Sequence, residues 1–204
     1  MDKTLCVECG LCEKTCPIIA PIKHNGIPEA RIVRNNNSDI VFDSTSGGAF
    51  SAIAATLMQE KKAIIFGACY DEKLQVIHRG IDNESDLRIF RGSKFVQSSI
   101  SGCFEEIKQL LKSGQVVLFS GTPCQVAGLQ KYLNNIDTTR LYLVDIVCRG
   151  VPSPKLWELY VAYMEQKYKS KIKMSNSETR LMDTRALPCW LNLRMGVFIR
   201  NPEE

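Results

Sequence analysis

Hydrophobic positions along the chain change period several times, and each change marks an element. After Thr45-Ser46-Gly47-Gly48, the residues Phe50, Ile53, Ala54 and Leu57 recur at helical spacing. Ala63 to Cys69 is a short apolar run with Ile64-Ile65-Phe66 at its centre, the pattern of a buried strand, and Leu74 to His78 reads as its hairpin partner. A short helix near Asp86 leads into Arg91-Gly92-Ser93-Lys94. A helix over about 102–113 follows, with Phe104, Ile107, Leu110 and Leu111 turned inward and Gly114 as its stop. Val116 to Phe119 is a second buried strand. Gly121-Thr122-Pro123-Cys124-Gln125 turns it into a helix that runs to about Leu133. Leu141 to Val147 is a third, and Ser153-Pro154 opens a long helix with Trp157, Tyr160, Val161, Met164 and Tyr168 on one side.

Upstream, residues 17–45 read as a connector. Pro17, Pro21, Gly26 and Pro28 interrupt it, Asn35-Asn36-Asn37 reads as a turn, and Ala30–Arg34 and Ile40–Phe42 read as short strands. Strand and helix alternate from 63 to 168, which predicts an α/β fold: a mixed sheet with a parallel portion, flanked by helices. Ligands of such sheets sit beyond the carboxyl ends of the strands. Three segments are expected there: Gly67-Ala68-Cys69-Tyr70, Gly121 to Gln125, and Cys148-Arg149-Gly150.

Composition narrows the class. The chain has 204 residues, 45% of them apolar, and a formal charge of +4. No apolar run approaches the roughly 18 residues that cross a bilayer. The start, Met-Asp-Lys-Thr, lacks the form of a secretory signal, so the expected location is the cytoplasm. No basic stripe with interleaved aromatics points to nucleic acid. Nine cysteines are many, and their odd number argues for metal or redox chemistry over a disulfide framework.

Four of the nine form Cys6-Val-Glu-Cys9-Gly-Leu-Cys12-Glu-Lys-Thr-Cys16-Pro17. This is the C-x-x-C-x-x-C-x-x-x-C-P run of bacterial ferredoxins, a 4Fe–4S pattern and a small ferredoxin-like cysteine-rich segment. Thiolates two residues apart can wrap one face of a cluster, and Gly10 lets the backbone approach the sulfides. In two-cluster ferredoxins the fourth cysteine of such a run serves the other cluster. On that pattern Cys6, Cys9 and Cys12 hold one cluster, and Cys16 serves a neighbour whose own run this chain lacks. Zinc is the alternative, but zinc sites usually separate their cysteine pairs by a dozen or more residues.

Two helix starts carry further chemistry. Thr122, Pro123 and Gln125 make an N-cap, a first-turn proline and a capping box; with Gly121 the same start can accept a phosphate. Cys124 there is a candidate cluster ligand, a redox thiol or a small buried residue. Ser46, Gly47 and Gly48 repeat the device. Arg91 and Lys94, around Gly92 and Ser93, have the charge to neutralise phosphates, so a nucleotide-like cofactor is the expectation. His24 and His78 are assigned no role.

Taken in order, the cysteine run, Thr45-Ser-Gly-Gly-Ala-Phe-Ser51, Arg91-Gly-Ser-Lys-Phe-Val-Gln-Ser98, Leu118-Phe-Ser-Gly-Thr-Pro-Cys-Gln125 and Val144-Asp-Ile-Val-Cys-Arg-Gly-Val-Pro-Ser-Pro154 resemble the coenzyme F-420 hydrogenase/dehydrogenase beta-subunit family. The resemblance covers about residues 4 to 172. It implies an iron–sulfur flavoprotein oxidoreductase, with FAD beside 4Fe–4S clusters and coenzyme F-420 or another organic substrate exchanging hydride with the flavin. It also implies a redox partner protein or subunit. The matching flavin positions are Ser46 to Gly48, Arg91 to Lys94 and Gly121 to Gln125. Cys124 and Cys148 match family cysteines and are candidate additional ligands. Members commonly have His where this chain has Arg149.

Two departures stand out. Members usually carry two cysteine runs, and this chain resembles them only from the second onward. The tail Met174 to Glu204 shows no clear continuation. The expectation is a piece of a longer protein in three parts: a partial ferredoxin-type segment at 1–28, an α/β flavin-binding-type domain at 29–172, and a divergent tail at 173–204. The competing functional readings are a non-enzymatic electron carrier without flavin and a zinc-stabilised binding module.

Overall fold

A computed structural model of the chain describes residues 4–22, 29–44, 46–169 and 172. The tail 173–204, Thr45 and His24 lie outside the described residues.

The first elements are short helices: α1 (Leu11–Thr15), which buries nothing, and α2 (Ser38–Asp43). Ile40–Phe42 is therefore helical and not a strand. Asn37 explains the difference, because its side chain accepts from the backbone N–H groups of Asp39 and Ile40, which is an N-cap and not a simple turn. Ala30–Arg34 forms no regular element either.

Helix α3 (Ala49–Lys61) then runs back into β1 (Ile64–Tyr70), which pairs antiparallel with β2 (Val76–Ile81). A 3-10 helix, Glu84–Phe90, follows the hairpin. Next come α4 (Cys103–Lys112), β3 (Val117–Gly121), α5 (Pro123–Tyr132), β4 (Leu141–Asp145) and α6 (Pro154–Tyr168).

The sheet order is β2-β1-β3-β4, with β1, β3 and β4 mutually parallel. This is the predicted mixed sheet. Alternation along each strand sends side chains to the two faces. Ile65, Cys69, Ile81 and Leu118 pack with Ala54, Leu57 and Met58 of α3 and with Leu87 and Phe90. On the other face Phe66, Val117 and Phe119 pack with Ile107 and Leu111 of α4 and with Val126 and Leu129 of α5. A third cluster seats Trp157 of α6 against Val76 and Val96, and its indole N–H donates to the Leu74 carbonyl at 2.6 Å. Helices on both faces bury both sides of the parallel strands, which is why β1 and β3 read as continuous apolar runs. β4 is only half-buried and stops at Asp145, two residues short of the end of the run that predicted it, as suits a strand paired on one side.

Chain direction places the loops. α3 and α4 each end a few residues before a parallel strand begins, so both helices start near the strands' carboxyl ends. α5 and α6 start there too. Gly121–Gln125 and Cys148–Gly150 occupy that end as expected. Gly67–Tyr70 does not form a loop: β1 extends through it, paired residue by residue with Arg79 to Val76.

Candidate functional site

At the α3 start, Gly48 is the N-cap, with φ of +70°, and no side chain caps the helix. Gly47 is held for a different reason. A Cβ there would lie 2.6 Å from the Val33 carbonyl oxygen, and Asn35 donates its backbone N–H to the Gly47 carbonyl at 2.7 Å. The connector thus lies directly on Gly47, and Ser46 alone of the three keeps an exposed side chain.

Arg91 shares this corner. The Phe50 ring in the first turn of α3 meets Phe90 edge-on, with centroids 6.2 Å apart. Arg91, the next residue, reaches Asp43 at the end of α2, with Nη1 to Oδ2 at 3.4 Å. Its Nε is buried and has no hydrogen-bond partner. Gly92 turns with φ of +74°. Lys94 folds back, and its Nζ donates to the carbonyls of Ile89 at 2.9 Å and Arg91 at 2.8 Å. Burial lowers the Lys94 ammonium from its ordinary 10.5 to about 8, against a raising effect from neighbouring Cys69. Burial likewise pushes the Cys69 thiol up, against Lys94 and Arg79. Lys94 therefore closes the end of the 3-10 helix, a role its sequence neighbourhood does not announce.

The α5 start is tied down more tightly. Gln125 Oε1 accepts from the Thr122 backbone N–H at 3.0 Å and from the Thr122 hydroxyl at 3.1 Å. Gln125 Nε2 donates to Ser98 Oγ at 2.8 Å, and both residues are buried. Two of the sequence motifs are thus joined through one amide. Gly121 is confined as well: a Cβ would meet the Phe119 ring at 2.9 Å. Since the Thr122 hydroxyl hydrogen is committed to Gln125, the Cys124 thiol is the donor in the 3.1 Å contact between them. Pro123 and Cys124 are exposed, which excludes the small-buried-residue reading of Cys124.

Replacing Gln125 with Ala strands the Ser98 hydroxyl and the Thr122 N–H. The expected cost is about 1–3 kcal/mol of stability by urea titration, the penalty for buried groups left unpaired.

Cys6, Cys9 and Cys12 are exposed, Cys16 and Cys148 are half-buried, and none of the described cysteines is in a disulfide. The segment turns on two left-handed residues, Glu8 at φ 52° and Gly10 at φ 69°, and α1 touches α5. The Gly150 N–H donates to Cys148 Sγ at 3.4 Å, the kind of bond that supports a thiolate ligand. Among the described residues, no three His, Cys, Asp or Glu side chains converge as a metal-binding group. The four thiols of the run match an iron–sulfur site in residue type and spacing, and three of them are exposed. The anion-binding features fit a phosphate at one place, the uncapped α3 start beside the unpartnered Arg91 Nε. A shallow depression lined by Met58, Gln59, Asp82, Asn83 and Glu84 lies at the opposite end of the sheet and holds none of these residues.

Together the fold and these groups define an α/β domain, helices on both faces of a mixed sheet, with a cysteine-rich N-terminal extension. Residues 114–185 match the family model for the C terminus of the beta subunit of coenzyme F420 hydrogenase/dehydrogenase. The match runs past Ile172, where the resemblance read from the motifs stops, to Arg185. Comparison with curated proteins gave no match. Among solved structures, a chain of the xenon-derivatized F420-reducing [NiFe] hydrogenase complex from Methanosarcina barkeri superposes with a TM-score of 0.52 at 18% identity. The likeness covers 70% of this chain and 52% of that one, so this chain spans about half the length of the chain it resembles. At that identity the likeness is one of fold. Among the described residues, no helix is long and apolar enough to cross a membrane.

Proposed function

We propose that this chain is part of an iron–sulfur flavoprotein oxidoreductase that passes electrons between 4Fe–4S clusters and FAD, with coenzyme F-420 or another organic molecule as the hydride partner. The observation that carries this reading is the set of four N-terminal thiols, free of disulfides and three of them exposed, on a segment whose α1 touches the helix bearing Cys124. The family match supports a redox role, and the solved neighbour, a member of a hydrogenase complex, supports association with a partner protein.

In this reading Cys6, Cys9 and Cys12 hold one cluster, and Cys16 serves a second, with Cys124 and Cys148 as further donors. The clusters supply one-electron transfer and the flavin converts it to two-electron chemistry. The chain's own residues would bind and orient. The free N–H groups of α3 and the Arg91 guanidinium take a cofactor phosphate, while Asp43 holds that guanidinium in place. Lys94 and Gly47 act behind this surface by fixing its backbone. Ser46 and Ser93 adjoin it in the chain, and Gly121 to Gln125 form the separate start of α5.

Flavin binding tests the assignment. Arg91→Ala should weaken FAD binding by roughly tenfold or more, the scale of a lost charge-assisted contact, with little effect on iron content. Unchanged flavin affinity in a folded Arg91→Ala protein would remove the phosphate site from this corner. Iron and sulfide with no flavin in an acid extract would favour the electron-carrier reading instead.

A further inference from the structure

His78 is nearly fully buried, with 8% of its surface exposed, yet it belongs to neither the thiol set nor the phosphate corner. It sits where the sheet comes apart. β1 and β3 pair only at Ile64 to Phe66 with Val117 to Phe119. Beyond that point β1 stays with β2 as far as Tyr70, while β3 stays with β4 as far as Gly121. The Gly121 carbonyl accepts from Ile146 N–H on the β4 side, so the Ser120 carbonyl, one residue earlier, faces the departing β1. That oxygen would be orphaned. Instead it lies 3.0 Å from His78 Nε2.

The imidazole can reach it for identifiable reasons. The residue directly opposite His78 on β1 is Ala68, whose small side chain leaves room to pass. The ring stacks on Phe119, with centroids 5.1 Å apart and planes 23° apart. The His78 backbone is fixed by its N–H to the Ser99 carbonyl at 2.9 Å. A carbonyl only accepts, so Nε2 carries the hydrogen and Nδ1 is the bare nitrogen. Nδ1 is buried and has no partner.

We propose that His78 positions the Gly121–Gln125 loop as a neutral imidazole, its Nε2–H replacing the strand bond that β1 withholds from Ser120, and that a proton added at Nδ1 releases the loop. The added proton comes from solvent and sits on a buried nitrogen with nothing to accept its hydrogen bond, so the charged ring is better accommodated outside. Burial holds the His78 imidazole below its ordinary 6.5, with the Ser120 bond opposing; no ionised side chain enters. Of the layers packed around it, β1 presents Ala68, β3 presents the Phe119 ring and the Ser120 carbonyl, and the segment before α4 presents the Ser99 carbonyl. The titratable group at the head of α4, Cys103, is itself neutral, pushed up to about 12 by burial and then by Glu106. A folded value below the unfolded one means the latch is fully closed above the ordinary 6.5 and is lost as the pH falls from there through the lower folded value.

The test uses the full 204-residue chain and does not depend on any cofactor. Nitrogen-15 NMR should show His78 as the Nε2–H tautomer at neutral pH. Hydrogen exchange, corrected for intrinsic pH dependence, should show the Thr122 and Gln125 amides losing roughly tenfold or more of their protection between about pH 7 and 5. His78→Gln keeps a donor in the Nε2 position without titrating, so it should hold protection across that range. His78→Phe should lack it throughout. An Nδ1–H tautomer, protection in the natural chain that ignores pH, or a His78→Gln protein that loses it in parallel would each overturn the proposal. If His78→Phe does not fold, the tautomer and the His78→Gln comparison still decide.

Discussion

Cys9→Ala should abolish cluster incorporation while leaving the α/β domain standing. Cys9 lies in the middle of the thiol run, and losing even an outer-shell partner of a metal ligand costs about 10–100-fold in affinity, so losing a ligand should cost at least that. The fold has no stake in it. Cys9 is exposed and α1 buries no residue, so the change removes no core contact. Stability should shift by no more than about 0.5 kcal/mol, as for ordinary surface substitutions. Iron and acid-labile sulfide fall by the content of the cluster that Cys6, Cys9 and Cys12 hold, and far-UV circular dichroism and the thermal midpoint stay put. Loss of both iron and fold would mean that the segment is structurally integrated in a way its exposure does not reveal.

Phe119→Ala should have the opposite profile. Phe119 is fully buried on β3, stacked on His78 and met edge-on by Phe104 at 6.0 Å. It packs with Phe66, Ile107 and Leu129, so its removal opens a cavity between the sheet and both α4 and α5. The expected cost is about 3–5 kcal/mol, a large part of the stability of a domain this size. A urea midpoint close to that of the natural chain would show that the layer collapses to refill the space. The same substitution also takes away the ring on which His78 rests, so loop protection should fall with it.

Much of the fold was legible because the apolar runs at 63–69 and 116–119 are short, β-branched and separated by helical periods, which is what a parallel sheet covered on both faces imposes. The connector was not legible. Ile40-Val41-Phe42 has the composition of a strand, and only the Asn37 side chain, capping the N–H groups of Asp39 and Ile40, makes it helical. Gly67–Tyr70 was expected beyond the carboxyl end of a strand, but the strand continues through it because β2 pairs with it to the end.

The site was legible as a set of motifs and not as a set of contacts. Gly47 and Gly121 mark close packing against Val33 and Phe119, which a sequence cannot separate from a phosphate turn. Gln125 was readable as a capping residue, but its bond to Ser98 joins positions too far apart in sequence for spacing to reveal. Arg91 pairs with Asp43 and leaves its buried Nε without a partner, and Lys94 is turned onto backbone carbonyls. His78 had no signal beyond its type. The tell was its place opposite a small residue on a hairpin, which gains meaning only once β1 and β3 are seen to part.

Metal, sulfide and flavin analysis of the full chain after anaerobic reconstitution tests the central claim most directly. The account predicts iron and acid-labile sulfide in comparable amounts, bound through Cys6, Cys9 and Cys12, together with extractable FAD. Stoichiometric zinc without iron, or a folded chain that takes up neither iron nor flavin, would contradict it.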